Sequence, residues 1–114
     1  MKTGFIGLGL IGGSIAKAIR QYFPESEIVA FDKSRETLAL ATAESVINTA
    51  VTVIDENFKG CDYLFLCTPV IYNSAYLSQI KPFLSEKTIL TDVGSVKTPI
   101  HQEVEKLGLS DFFI

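Results

Sequence analysis

Three glycines and one aspartate carry the most legible chemistry in this chain. Gly7-Leu8-Gly9-Leu10-Ile11-Gly12 fits the pattern G-x-G-x-x-G, and Asp32 follows twenty positions after Gly12. Each residue type has a physical task in binding a diphosphate-linked dinucleotide. Gly7 permits a tight turn out of a strand. Gly9 lets backbone approach a pyrophosphate with no Cβ in the way. Gly12, with Gly13 beside it, lets the following helix pack closely on the strand. The N-terminus of that helix presents free N–H groups and a partial positive charge, which suit the diphosphate. Asp32 would accept hydrogen bonds from the adenosine ribose hydroxyls. The predicted cofactor contacts are therefore Gly7, Leu8, Gly9, Leu10, Ile11, Gly12, Asp32 and the adjoining Lys33. A carboxylate at position 32 repels a 2′-phosphate, so NAD is the expected cofactor. NADP stays open, because Lys33, Ser34 and Arg35 follow at once and offer partners for that phosphate.

The elements that must position these groups are visible as alternating apolar runs. Thr3 to Ile6 reads as a strand. Ile11, Ile15, Ala18, Ile19 and Tyr22 recur at helical spacing up to Pro24. Glu27 to Phe31 is a second strand, with Asp32 at its carboxyl end. Ser34 is suited to cap a helix over Arg35 to Ala43. Glu44 to Gly60 is ambiguous: Val51-Thr52-Val53-Ile54 favours extended chain, yet a short helix before Gly60 fits as well. Tyr63 to Cys67 is a continuous apolar run, as in a strand buried on both faces of a parallel sheet. A helix from about Ile71 to Lys81 runs until Pro82, and Thr88 to Thr91 is the next strand. Thr98 and Pro99 then open a helix with Ile100, Val104 and Leu107 on its apolar stripe and Gly108 as its stop. Asp111 to Ile114 looks like the start of another strand. Strands alternating with helices predict a doubly wound (Rossmann) α/β fold with a mostly parallel sheet and right-handed crossovers.

Ligands of such sheets bind beyond the carboxyl ends of the strands, where strand order reverses. Four features of this chain fall at such ends: the glycine turn, Asp32, Thr68-Pro69, and Asp92-Val93-Gly94-Ser95. Thr68, Pro69 and Ser95 are accordingly expected at the nicotinamide end of a crevice. His101 is the only histidine. It lies off the apolar stripe of its helix and well along it, so a surface role is expected rather than a catalytic one. Lys97 suits either a carboxylate anchor or a solvated position.

Composition limits the alternatives. The 114 residues make at most one domain, 47% apolar and 20% charged, which is the balance of a globular protein. A net charge of -3 and a pI near 5.0 give no basic excess for nucleic acid. No apolar run reaches the roughly 18 residues of a membrane span. Cys61 and Cys67, placed on one strand, would stand about 20 Å apart, beyond the roughly 7 Å reach of a disulfide. No histidine or cysteine pair has metal-ligand spacing. A reducing cytoplasm is expected, with no metal and no membrane.

Three segments together carry a resemblance. Gly7-Leu8-Gly9-Leu10-Ile11-Gly12-Gly13-Ser14-Ile15-Ala16, Cys67-Thr68-Pro69-Val70 and Thr91-Asp92-Val93-Gly94-Ser95-Val96-Lys97 resemble, in order and separation, the nucleotide-binding domain of the prephenate dehydrogenase family. The resemblance implies a parent enzyme that oxidises and decarboxylates prephenate to 4-hydroxyphenylpyruvate, the precursor of tyrosine, with NAD or NADP. It implies that Ser95 is the active-site serine near the nicotinamide and the substrate hydroxyl, and that Thr68 lies beside the nicotinamide ribose. The family's catalytic histidine belongs to a Gly-His-Pro segment just after the strand that begins near Phe112, a segment these residues do not include. The helical domain that completes the substrate site and forms most of the family's dimer interface is not among them either. The expectation is therefore a cofactor domain, truncated before the helical domain, that binds a dinucleotide without turning over prephenate. Its full-length parent would be a homodimer, and the fragment would expose apolar surface. Prephenate and arogenate are not distinguished by these residues. A different Rossmann dehydrogenase or a non-catalytic NAD-binding sensor are the competing readings.

Overall fold

Residues 1–68 and 70–92 are described by the structure, a computed structural model. β1 (Lys2–Ile6) leads into α1 (Gly9–Tyr22), then β2 (Glu27–Phe31), α2 (Arg35–Ala43) and the short β3 (Thr49–Val51). β4 (Tyr63–Leu66), α3 (Val70–Ile80) and β5 (Ile89–Asp92) follow. The five strands form one parallel sheet in the order β3-β2-β1-β4-β5. Strand order therefore reverses between β1 and β4, which is the switch point the doubly wound reading requires. The predicted helix and strand beyond Thr98, together with Pro69, Ser95, Lys97 and His101, lie outside the described residues.

Side-chain alternation along each strand divides the core into two layers. Phe5, Ile28 and Ala30 face Ala16 of α1 and Leu38 of α2, with Phe65 stacked on Phe5 at a ring-centroid distance of 5.2 Å. Ile6, Val29, Phe31, Leu64, Leu66 and Leu90 face Tyr76, Leu77 and Ile80 of α3. A one-residue slip of any strand would exchange the two sets, so this pattern also pins the register.

The local signals act as their chemistry demands. Ser34 accepts the Thr37 N–H and caps α2. That helix stops where Ser45 enters the left-handed region (φ 59°) and the Val46 N–H reaches back to the Ala41 carbonyl. The ambiguous stretch contains both kinds of element, but the strand comes earlier than the β-branched run suggests: of Val51-Thr52-Val53-Ile54 only Val51 belongs to β3. It holds strand β3 and then a 3₁₀ turn over Glu56–Phe58, with Phe58 buried in the α3-side core. Pro82 marks a second 3₁₀ turn, Lys81–Phe83.

Two expectations are corrected. The apolar spacing of α1 placed Ile11, Ala18 and Tyr22 on its buried stripe, but these three are exposed. The face against the sheet is Gly12 and Ala16, flanked by Ile15 and Ile19. The helix approaches so closely that only its smallest residues fit at the contact. Tyr63 was expected inside a doubly buried strand, yet it is 39% exposed. It lines an apolar groove of about 240 Å³ with Met1, Thr3, Ile19, Phe23 and Phe65. The two cysteines are not joined in a disulfide and lie one on either side of β4: Cys61 in the α3-side core and Cys67 packed against the α1-side core. Burial pushes the Cys61 thiol up to about 11, so it is an inert packing group.

Candidate functional site at the carboxyl edge of the sheet

The residues after β1, β2 and β4 meet around a cleft of about 190 Å³. Gly7, Leu8 and Gly9 form one wall, Asp32 and Lys33 a second, and Cys67 and Thr68 a third. Phe31 and Tyr76, in an edge-to-face pair with centroids 5.1 Å apart, supply the aromatic lining from β2 and α3. Tyr76 has no local signal in the sequence. It lies mid-helix, and only the crossover of α3 onto the sheet carries it to Phe31.

The glycine turn has the geometry its sequence implies. Gly7 has φ +90°, and a Cβ there would stand 2.6 Å from Thr68 Cγ2 and 3.1 Å from the Thr68 backbone nitrogen. Two chain segments thus meet at a point where only a hydrogen fits. Gly7 N–H donates to the Phe31 carbonyl (2.7 Å) and Cys67 N–H to the Ile6 carbonyl (2.9 Å), which ties the turn to both neighbouring strands. A Cβ on Gly12 would come within 2.7 Å of the Gly7 carbonyl oxygen and 3.2 Å of Cys67 Cβ, confirming the close helix approach. Gly13 was grouped with it, but a Cβ there meets nothing within 4 Å, because that residue faces away from the contact. Gly9 differs from both: its φ is +49° and nothing lies within 4 Å of its Cβ position. Open space over a left-handed glycine is what a ligand approaching the backbone requires.

The start of α1 is also left available. Leu8, at the N-cap position, makes no side-chain cap hydrogen bond, and the first turn holds no acidic side chain. Leu10 and Ile11 in that turn are exposed, Leu10 to 92%. Their amides belong to the first turn, whose N–H groups have no intrahelical acceptor. Ser14 turns its hydroxyl back to the Leu10 carbonyl (2.8 Å).

Asp32 sits half-buried on the rim. One carboxylate oxygen accepts the Leu8 N–H (2.9 Å) and the other accepts the Ser34 N–H (2.8 Å). The Leu8 amide is thus occupied within the protein, while the Leu8 side chain is buried at 2% exposure. Of the sequence-derived candidates, the cleft brings together Gly7, Leu8, Gly9, Asp32, Lys33 and Thr68. Leu10, Ile11 and Gly12 belong to the adjoining helical turn and do not line the cleft. Pro69 and Ser95 lie outside the described residues. β5 ends at Asp92, paired in register with Leu66, at this same edge of the sheet. Among the described residues, no cluster of three or more His, Cys, Asp or Glu side chains is placed to hold a metal. No helix there is long and apolar enough to cross a membrane.

Comparison with known proteins agrees with this geometry. A family model described as "Prephenate dehydrogenase, nucleotide-binding domain" matches residues 15–114. The chain is 34% identical over 107 residues to a prephenate dehydrogenase of Lactococcus lactis, covering 93% of this chain and 30% of that protein. It is 33% identical over 95 residues to a cyclohexadienyl dehydrogenase of Zymomonas mobilis, covering 83% of this chain and 32% of that one. Among solved structures, the prephenate dehydrogenase of Aquifex aeolicus, in complex with hydroxyphenyl propionate and NAD+, superposes with a TM-score of 0.88 at 29% identity. That match covers 99% of this chain and 40% of the other. The arogenate dehydrogenase of Synechocystis gives a TM-score of 0.82 at 32% identity, over 94% of this chain and 37% of that one. The chain spans about a third of the length of the curated relatives it matches. The family model begins after the glycine turn, so the turn and the model are separate lines of support. Sequence, topology and relatives converge: the chain belongs to the family of prephenate dehydrogenase nucleotide-binding domains.

Proposed function

We propose that this chain is the NAD-binding domain of a prephenate dehydrogenase, whose parent protein oxidises and decarboxylates prephenate to 4-hydroxyphenylpyruvate in tyrosine synthesis. The observation that carries the reading is the cleft at the β1/β4 switch point. It has an uncapped helix start on one side and a carboxylate on its rim. The open space over Gly9 and the absence of acidic side chains in the first turn of α1 fit a bound dinucleotide. The family match and the NAD+ complex of the Aquifex relative support the same cofactor.

When bound, the nicotinamide supplies the hydride acceptor for the oxidation. This chain's own residues bind and orient. Gly7, Gly9 and the amides of Leu10, Ile11 and Gly12 receive the pyrophosphate. Asp32 accepts the ribose hydroxyls, with Lys33 beside it. Thr68 and Pro69 flank the nicotinamide ribose, and Ser95 is the active-site serine that hydrogen-bonds the substrate hydroxyl. The base that removes the hydroxyl proton is expected from the Gly-His-Pro segment the family carries. These 114 residues alone therefore bind nucleotide without turning over prephenate. In this reading the parent is a cytoplasmic homodimer.

Calorimetric titration with NAD and, separately, NADP tests the reading. NAD binding well ahead of NADP is expected. Tighter NADP would show that Lys33 and Arg35 overrule Asp32, and binding of neither by folded protein would sink the reading. The 32% identity to the Synechocystis arogenate dehydrogenase keeps arogenate as a second substrate. Steady-state assays of the full-length parent on both acids decide between them.

A further inference from the structure

Asp32 has two hydrogen-bond partners within the protein itself. Its two carboxylate oxygens are engaged with backbone amides of two segments: Leu8 in the glycine turn at 2.9 Å and Ser34 at the start of α2 at 2.8 Å. The Leu8 amide follows a glycine at φ +90° and precedes one at φ +49°, so it sits between two backbone conformations that rely on glycine. Backbone bonds hold Gly7 to β2, but the next residue is tied by the carboxylate. Each carboxylate oxygen has a second lone pair. Asp32 is therefore able to keep both amides and still accept ribose hydroxyls.

We infer that Asp32 is a positioning residue for the pyrophosphate-binding turn as well as a reader of the ribose, coupling the two halves of the nucleotide site through the Leu8 amide. This deepens the proposed function and rests on it. One consequence concerns cofactor choice. Replacing the acidic residue by a small one, the obvious route toward a 2′-phosphate, would here also release the turn that holds the diphosphate. Lys33 and Arg35 would then face a 2′-phosphate on a nucleotide whose diphosphate is poorly held.

The sign of one measurement separates this from simple electrostatics. A carboxylate near a diphosphate repels it, so removing a carboxylate that reads only the ribose should leave unchanged, or strengthen, the binding of a nucleotide without ribose hydroxyls. Removing a carboxylate that shapes the turn should weaken it. The test is calorimetric titration of this chain and its Asp32→Ala variant with ADP and with 2′,3′-dideoxy-ADP. The expected result is a loss of about tenfold or more for dideoxy-ADP in the variant, the scale of a hydrogen bond to a charged group. Unchanged or tighter dideoxy-ADP binding, with ADP weakened, overturns the inference and leaves the proposed function standing. Failure of the folded, unsubstituted chain to bind either nucleotide or NAD overturns both.

A second measurement needs no ligand and covers the case in which Asp32→Ala does not fold. Amide hydrogen exchange of Leu8 in the unsubstituted chain should be slowed about a hundredfold relative to unstructured peptide, and Asp32→Asn should speed it selectively. Rapid exchange of Leu8 in the unsubstituted chain overturns the inference.

Discussion

The two edges of the sheet use polar groups in opposite ways. At the amino edge, side chains close off backbone. The Asp62 carboxylate accepts the Lys2 N–H (2.9 Å) and pairs with Lys87 (3.3 Å). Buried Thr88 donates its hydroxyl to the Cys61 carbonyl (2.7 Å). Asn48 Oδ1 accepts the Ile28 N–H (2.7 Å), and Arg20 spans the Val46, Pro24 and Ser26 carbonyls as well as Asn48. At the carboxyl edge, glycines replace those side chains, α1 begins uncapped, and a cleft stays open. On the rim of that cleft, Asp32 uses the device seen at the other edge: a side chain holding main-chain amides. One edge is closed and the other is left open, on the same five strands.

Substitutions that exchange these roles probe the contrast. Gly7→Val should have the largest effect. Its Cβ would press on Thr68, at a backbone angle that β-branched residues avoid. A loss of roughly 3 kcal/mol or more is expected from strain and displacement, read as a lower melting midpoint together with lost NAD binding. Arg20→Ala attacks the closed edge. It strips charge-assisted bonds from three carbonyls and should cost about 1.5–3 kcal/mol of stability, while NAD affinity in the surviving folded protein stays within about twofold of the parent's. A matching loss of affinity would mean the two edges are not separable.

Gly9→Ala reverses that profile. The new methyl meets open space in the unliganded chain, so only the left-handed backbone opposes it, at about 1 kcal/mol. NAD binding should fall about tenfold or more, because the methyl occupies the diphosphate's approach. Equal affinities for the two chains would place the ligand elsewhere. Asp62→Asn should have the smallest effect. The Lys2 N–H and then Lys87 hold the Asp62 carboxyl below its ordinary value. A depressed folded-state value gives stability that is present above the ordinary carboxylate range and lost as pH falls through the folded value. The group is solvent-screened, so the difference between Asp62→Asn and the parent should be slight and should shrink with added salt. A large, salt-insensitive difference would show a structural role beyond screened charge.

How legible this molecule was from sequence depended on the range of the interaction. Ser34 as the cap of α2, the turn at Gly7 and the carboxyl-end position of Asp32 need only local spacing, and the structure shows each of them. The α1 stripe misled because apolar spacing reports hydrophobicity and takes no account of distance. Where a helix lies against a turn at Gly7 and Cys67, the contact face is set by how small a residue is, so Gly12 and Ala16 outrank Ile11 and Tyr22. Gly13 looked equivalent to Gly12, yet one step around a helix is a turn of about 100°, which carries it off the contact.

The sequence by itself determined the alternation of strands and helices, the glycine turn with its distant carboxylate, and the three motifs of the family. Those signals are written in residue type and in separations the chain itself measures. Only tertiary structure decided that Tyr76 meets Phe31, that the Leu8 amide belongs to Asp32, and that the strand order reverses beside the cleft. Each of these joins residues more than twenty positions apart. Such meetings are set by which sheet face a crossover packs against, a choice that neither partner's local sequence encodes.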